Sequence, residues 1–126
     1  MANKILIIDD EPETLEVLET KFKAAGFEVA LCDNGRDALA AAKAAKPQAV
    51  VMEALLPGID GKTLSGILAS DPDTGRLPLF ILTSLEQSRS LFEGAPQVKG
   101  FLTKPFSFDE LQGRVKDAIA EAANKQ

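Results

Sequence analysis

The chain contains no histidine, no tryptophan and no tyrosine, and one cysteine, Cys32. Without histidine it lacks the commonest general base, the commonest metal ligand and any phosphohistidine chemistry of its own. One cysteine cannot close an internal disulfide or build a zinc cluster, and its expected place is the core. Apolar runs such as Ile5 to Ile8 and Ala49 to Met52 are far too short to span a bilayer, and no basic-then-apolar leader opens the chain, so the default location is the cytoplasm with no membrane insertion. Positive charge is in deficit, with 14 Lys and Arg against 19 Asp and Glu and a net charge of -5. Direct contact with nucleic-acid phosphates is therefore not expected. What remains for chemistry is carboxylates, hydroxyls and lysine.

What is present suits an ordinary globular protein: 126 residues, 45% hydrophobic and 26% charged, enough for one core and one domain over 1–126. Lys4 to Asp9 reads as a strand buried on both faces and ending in acids. Pro12 suits the first turn of a helix carrying Leu15, Leu18, Phe22 and Ala25 at helical spacing, and Gly26 stops it. Phe27 to Cys32 alternates as a strand near a sheet edge. A second helix opens at Asn34 and fades towards Pro47. Gln48 to Glu53 is a third strand, followed by a turn through Pro57, Gly58 and Gly61 and a helix from about Gly61 to Ser70. Leu79 to Leu82 is a fourth strand. A short, weakly patterned helix is expected between Glu86 and Gly94, and Val98 to Leu102 is a fifth strand. Ser107 and Glu110 form a capping box with Phe106 and Leu111 as its staple, opening a last helix. Five strands alternating with five helices predict an α/β fold with a parallel sheet covered on both faces.

In such sheets functional groups gather beyond the carboxyl ends of the strands. That rule selects Asp9 and Asp10 after the first strand, Glu53 after the third, Thr83 and Ser84 after the fourth, and Lys104 with Pro105 after the fifth. Clustered carboxylates repel unless a cation, a lysine or protonation offsets them. Mg²⁺ suits oxygen ligands of this kind together with a phosphate. Acid, hydroxyl and lysine around such an ion make a phosphoryl-handling pocket.

The motifs I-I-D-D-E-P at 7–12, L-P-G-I-D-G at 56–61, L-T-S at 82–84 and G-F-L-T-K-P-F at 100–106 resemble, in order and spacing, a bacterial response-regulator receiver domain over nearly the whole chain. The resemblance implies a CheY-like, flavodoxin-like doubly wound sheet with strand order 2-1-3-4-5. It implies Mg²⁺ held by Asp9, Asp10, the acceptor acid at 53 and the backbone carbonyl of Leu55. Thr83 and Lys104 would contact a phosphoryl group, and Phe101 would be the aromatic switch. The implied partners are a sensor histidine kinase or another signalling protein, and a downstream protein met by the face of the fourth helix, fifth strand and fifth helix. The implied role is signalling, not enzymatic turnover.

One position departs from the pattern, since the acceptor aspartate is replaced by Glu53. The extra methylene moves the attacking oxygen by roughly 1.5 Å, and a misplacement of about 1 Å can cost on the order of a hundredfold in rate. The expectation is a stand-alone pseudo-receiver with phosphorylation weakened or lost and its hold on Mg²⁺ weakened. Glu53 either reaches Lys104 and the Thr83 hydroxyl in the place of a phosphoryl group or leaves the switch unresponsive. The alternatives are a conventional phosphorylatable regulator and, lower, an α/β phosphohydrolase, for which no G-x-G-x-x-G, P-loop or nucleophile elbow is present. Plainer readings stand beside these. Asp9 and Asp10 suit a helix N-terminus, Asp60 suits a helix cap, Ser84 lines the pocket, Phe101 suits any strand, and within this sequence no output domain is visible after the last helix.

Overall fold

The computed structural model describes residues 3–124. Its main sheet is parallel and runs β2–β1–β3–β6–β7, where β1 is Lys4–Ile8, β2 Glu28–Cys32, β3 Ala49–Glu53, β6 Leu79–Thr83 and β7 Val98–Thr103. Between β3 and β6 a two-stranded hairpin, β4 (Leu55–Leu56) and β5 (Ile59–Asp60), turns through Pro57 and Gly58, and Gly58 takes φ +83°. Among the described residues three α-helices lie in crossovers, α1 (Pro12–Ala24), α2 (Ala38–Ala45) and α3 (Gly61–Ser70), and a fourth, α4 (Phe108–Asn124), follows β7. The weakly patterned segment before β7 is a 3-10 helix over Glu86–Phe92, so the five helical segments are four α and one 3-10.

The continuous apolar runs of the central strands have a direct cause. Alternate residues face opposite layers, and both layers are covered. Ile5, Ile7, Val51, Phe80 and Leu82 pack with Leu18 and Phe22 of α1 and with Leu111 and Val115 of α4. Leu6, Ile8, Val50, Met52, Leu79 and Ile81 pack with Ala38 and Ala42 of α2, Leu64 and Leu68 of α3, and Phe92. Each large side chain buried this way contributes on the order of 1.5–3 kcal/mol. Strand β2 lies at the sheet edge and is only partly covered, as its alternating sequence predicts.

Helix ends follow the expected chemistry with two adjustments. Regular α2 starts at Ala38, because Asn34 first closes a turn by accepting the Asp37 amide at 2.8 Å. At α4 the Ser107 hydroxyl accepts from the Glu110 amide at 3.2 Å, while the Glu110 carboxylate pairs with Arg114 at 2.9 Å. Asp60 caps α3 by accepting the Thr63 amide at 2.8 Å. That bond holds the Asp60 carboxyl below the usual aspartate range. Its contribution is therefore present above the unfolded-state pKa and is lost as pH falls through the folded-state value. Asp60→Ala is expected to lower stability by about 1 kcal/mol in urea unfolding at pH 7, and Asp60→Ser to recover most of it.

Close approaches fix both sides of the sheet centre. Gly61 donates its amide to the Ala54 carbonyl at 2.7 Å, and a Cβ there would lie 2.7 Å from that same oxygen. Between β6 and β7 the register shifts: Leu79 faces Val98 while Phe80 faces Gly100, leaving Lys99 as the extra residue of a bulge. The Lys104–Pro105 peptide is cis. No helix among the described residues is long and apolar enough to cross a membrane.

Candidate functional site at the carboxyl ends of the strands

Parallel pairing in register brings the ends of β1, β3 and β6 side by side, and Lys104 follows β7. The Lys104 amide donates to the Thr83 carbonyl at 2.7 Å, extending the ladder by one residue and setting where the lysine departs. Its ammonium then reaches Glu53 Oε1 at 2.9 Å, Asp9 Oδ2 at 3.2 Å and Glu11 Oε1 at 3.7 Å. Asp9 is 2% and Glu53 8% exposed, so both acids sit where an uncompensated charge is costly. The remaining oxygens are occupied as well. Asp9 Oδ1 accepts the Glu11 amide at 2.9 Å, and Glu53 Oε2 accepts the amides of Ala54 at 2.7 Å and Leu55 at 3.3 Å.

Glu53 thus curls back over the end of its own strand, which is the physical result of its added methylene. One oxygen of this carboxylate accepts from the Leu55 amide and from the Ala54 amide, which also donates to the Leu82 carbonyl at 3.2 Å, while the other oxygen meets the lysine. Burial pushes the Asp9 carboxyl above the ordinary aspartate value, outweighing the Glu11 amide and the Lys104 charge. For Lys104, burial opposes the charge, yet Glu53 and Asp9 together hold it above the ordinary lysine value. The sign for Asp9 is clear. A carboxyl with a raised folded pKa stabilises the fold below the unfolded pKa, and that contribution is lost as pH rises through the folded value. Asp9→Asn is accordingly expected to be more stable than wild type in urea at pH 7, and to lose that advantage on acidification through the range where Asp9 protonates.

The other selected residues lie differently. Thr83 is buried, and its hydroxyl accepts from the Leu85 amide at 3.2 Å; among the described residues no hydrogen bond joins it to Glu53. Asp10 and Ser84 are exposed, and the Asp10 carboxylate takes part in no ion pair among the described residues. Leu55 offers its amide to Glu53, with its side chain exposed. Phe101 is half-buried, 6.1 Å from the Phe92 ring and covered by the Arg89 guanidinium 4.5 Å from its centroid. Arg89 pairs with Glu86 at 2.7 Å, and Glu86 in turn accepts the Thr103 hydroxyl. Glu11 was recognisable within the D-D-E run; Arg89 was not, since one arginine in a weak helical pattern carries no signal.

The donor set does not fit a divalent ion as it stands. All four carboxylate oxygens of Asp9 and Glu53 already accept hydrogen bonds, with an ammonium between the two acids. No group of three or more acid, cysteine or histidine side chains among the described residues is arranged to hold a metal.

The family model for the response regulator receiver domain matches residues 5–116. The chain belongs to that family. Among curated relatives of this receiver, the response regulator PleD of Caulobacter vibrioides is 32% identical over 117 residues, covering 92% of the chain and 26% of PleD. Protein PilH of Pseudomonas aeruginosa is 30% identical over 118 residues, covering 93% of the chain and 98% of PilH. The chain therefore spans about a quarter of PleD and nearly all of PilH. Among solved structures, the receiver domain of sensor histidine kinase PA1611 from Pseudomonas aeruginosa aligns with TM-score 0.83 and 27% identity, covering 95% of this chain and 99% of that one, and it carries a magnesium ion coordinated in its active-site cleft. The receiver fold and the two-component signalling role of the family are those expected from the motifs.

Proposed function

We propose that this receiver domain is a stand-alone signalling module that acts through protein contacts, with phosphoryl transfer to position 53 weakened or lost. The observation that carries the reading is the Glu53 carboxylate, held at once by Lys104 at 2.9 Å and by the Ala54 amide at 2.7 Å. In-line attack needs an acceptor oxygen that is correctly placed and free to approach phosphorus, and catalysis by positioning falls steeply with misplacement. A carboxylate folded onto its own backbone satisfies neither condition. It also supplies one negative charge where phosphorylation adds about -1.5 to -2.

On this reading Lys104 serves as the resident counter-cation of Asp9 and Glu53. The ion that Asp9, Asp10, Glu53 and the Leu55 carbonyl would hold binds weakly, because that lysine and the amides already engage Asp9 and Glu53. Thr83 and Phe101 are the elements through which the pocket would speak to a partner on the face built by the 3-10 segment, β7 and α4. The family supports a sensor histidine kinase or another two-component protein as the partner upstream. The conventional alternative, a phosphorylatable regulator, retains Lys104 and Asp9 in its favour.

Incubation with acetyl phosphate and Mg²⁺ followed by intact mass measurement separates the two. The expected spectrum shows the unmodified chain alone. A stoichiometric phosphoryl adduct mapped to Glu53 by peptide sequencing would overturn the proposal in favour of the conventional regulator.

A further inference from the structure

The opposite, amino ends of the strands border a second cleft, of about 990 Å³, between α4 and the loops that enter β3, β6 and β7. Ala118, Ile119 and Ala122 of α4 give it an apolar wall, and Pro47, Pro78 and Pro96 stiffen the strand entries on the other side. Such a surface suits an apolar body of small-molecule size.

Two cations border that wall. Arg76 and Lys99 both line the cleft and are exposed, and among the described residues neither belongs to an ion pair. Asp73 also lines the cleft but faces Lys43 at 3.6 Å, and Glu121 contributes a further carboxylate to the lining. Asp73 and Glu121 match the two cations in number, so what sets Arg76 and Lys99 apart is that neither is engaged in an ion pair among the described residues. Lys99 occupies its place through the β6–β7 register shift, in which it is the extra residue, and bulges of this type re-aim side chains.

The wall also carries an unsatisfied acceptor. Gln97, 8% exposed, donates both amide hydrogens, to the carbonyls of Thr74 at 2.8 Å and Leu77 at 2.9 Å. Those two bonds fix which end of the amide is nitrogen. Its Oε1 is left buried with no partner, the one such side-chain atom among the described residues. A buried acceptor is completed only by a donor, such as an ordered water or an N–H or O–H on the apolar body of a ligand, and not by the ligand's anionic group.

We propose that this cleft binds a small organic anion carried on an apolar body, with the anionic group at Arg76 and Lys99 and the body against α4. The site is independent of the acid pocket at the other end of the strands and of any phosphorylation there.

Anilinonaphthalene sulfonate has this chemistry, a sulfonate on aromatic rings, and phenylnaphthylamine is its uncharged counterpart. Titration of the folded protein with the sulfonate, followed by fluorescence and by amide NMR shifts, is expected to show saturable one-to-one binding with shifts centred on Lys99 and the last turns of α4. The Arg76→Gln, Lys99→Gln double variant replaces exposed side chains and is expected to keep the wild-type melting temperature while binding roughly tenfold more weakly. Added salt should weaken binding to wild type, and the neutral dye should bind wild type and variant alike. Equal affinity of wild type and double variant for the sulfonate, equal affinity of both dyes for wild type, shifts centred elsewhere, or no saturable binding would each overturn the proposal.

Discussion

Glu53→Asp is expected to take up a phosphoryl group from acetyl phosphate in the presence of Mg²⁺ at a rate at least about a hundredfold above wild type. The reason is geometric. Removing one methylene withdraws the carboxylate from the Ala54 and Leu55 amides, which Glu53 Oε2 now occupies at 2.7 and 3.3 Å. The Leu55 amide then becomes available to the oxygens of an incoming phosphoryl group, while the Ala54 amide keeps its bond to the Leu82 carbonyl at 3.2 Å. Lys104 remains anchored by its own backbone bond to Thr83 and by Asp9 at 3.2 Å, so the neutralising charge persists. Intact mass after timed quenching measures the rate. If the variant stays unmodified, position 53 is not the sole defect, and Thr83, turned towards the Leu85 amide, is the next position to examine.

Lys104→Met is expected to destabilise the fold by about 3 kcal/mol at pH 7. The methionine keeps most of the volume and removes the cation that Asp9, Glu11 and Glu53 share. The lysine side chain is 18% exposed, so water offsets part of the loss, and the figure lies at the lower end for broken buried pairs. The pH dependence has a definite sign. The raised Lys104 pKa gives a contribution that is complete below the unfolded lysine value and is lost only as pH rises through the folded one. Near neutrality the wild-type term is therefore flat. The deficit of the variant should shrink on acidification, as Asp9, whose pKa burial already raises, takes up a proton and ceases to need a partner. Urea unfolding at neutral and acidic pH checks both statements. A deficit below about 1 kcal/mol at neutral pH would mean that the cluster behaves as a solvent-screened surface pair.

Much of this architecture could be read before any coordinates. The apolar runs at Ile5 to Ile8, Ala49 to Met52 and Leu79 to Leu82 have no polar face, which only a strand covered on both sides requires, and each of those residues is buried. Parallel pairing then made convergence of Asp9, Glu53 and Lys104 a consequence of where the runs end. The parts that escaped depend on local competition. Over Glu86–Phe92 the hydroxyls of Ser88 and Ser90 bond the carbonyls of Leu85 and Gln87, three residues back, in a tight 3-10 turn that a weak apolar pattern does not reveal. One of the two expectations for Glu53 was that it reach the Thr83 hydroxyl as well as Lys104; it meets Lys104, while the hydroxyl accepts an amide two residues ahead, a short-range bond available to any threonine at a turn. The return of Glu53 onto its own backbone is a matter of rotamer: its Oε2 accepts from the Leu55 amide beyond the ladder and shares the Ala54 amide with the Leu82 carbonyl.

The bond that holds Glu53 in its place is made between groups encoded in the chain, and that has a temporal meaning. An acyl phosphate is a perishable mark, renewed by a donor and erased by water, so a cell reading it reads recent history. If position 53 takes no phosphoryl group, as proposed, a glutamate fastened to Lys104 and to two amides keeps no such clock. On the proposed reading, a message that depends on this contact lasts as long as the polypeptide, and its strength follows how many copies are made and how quickly they are destroyed.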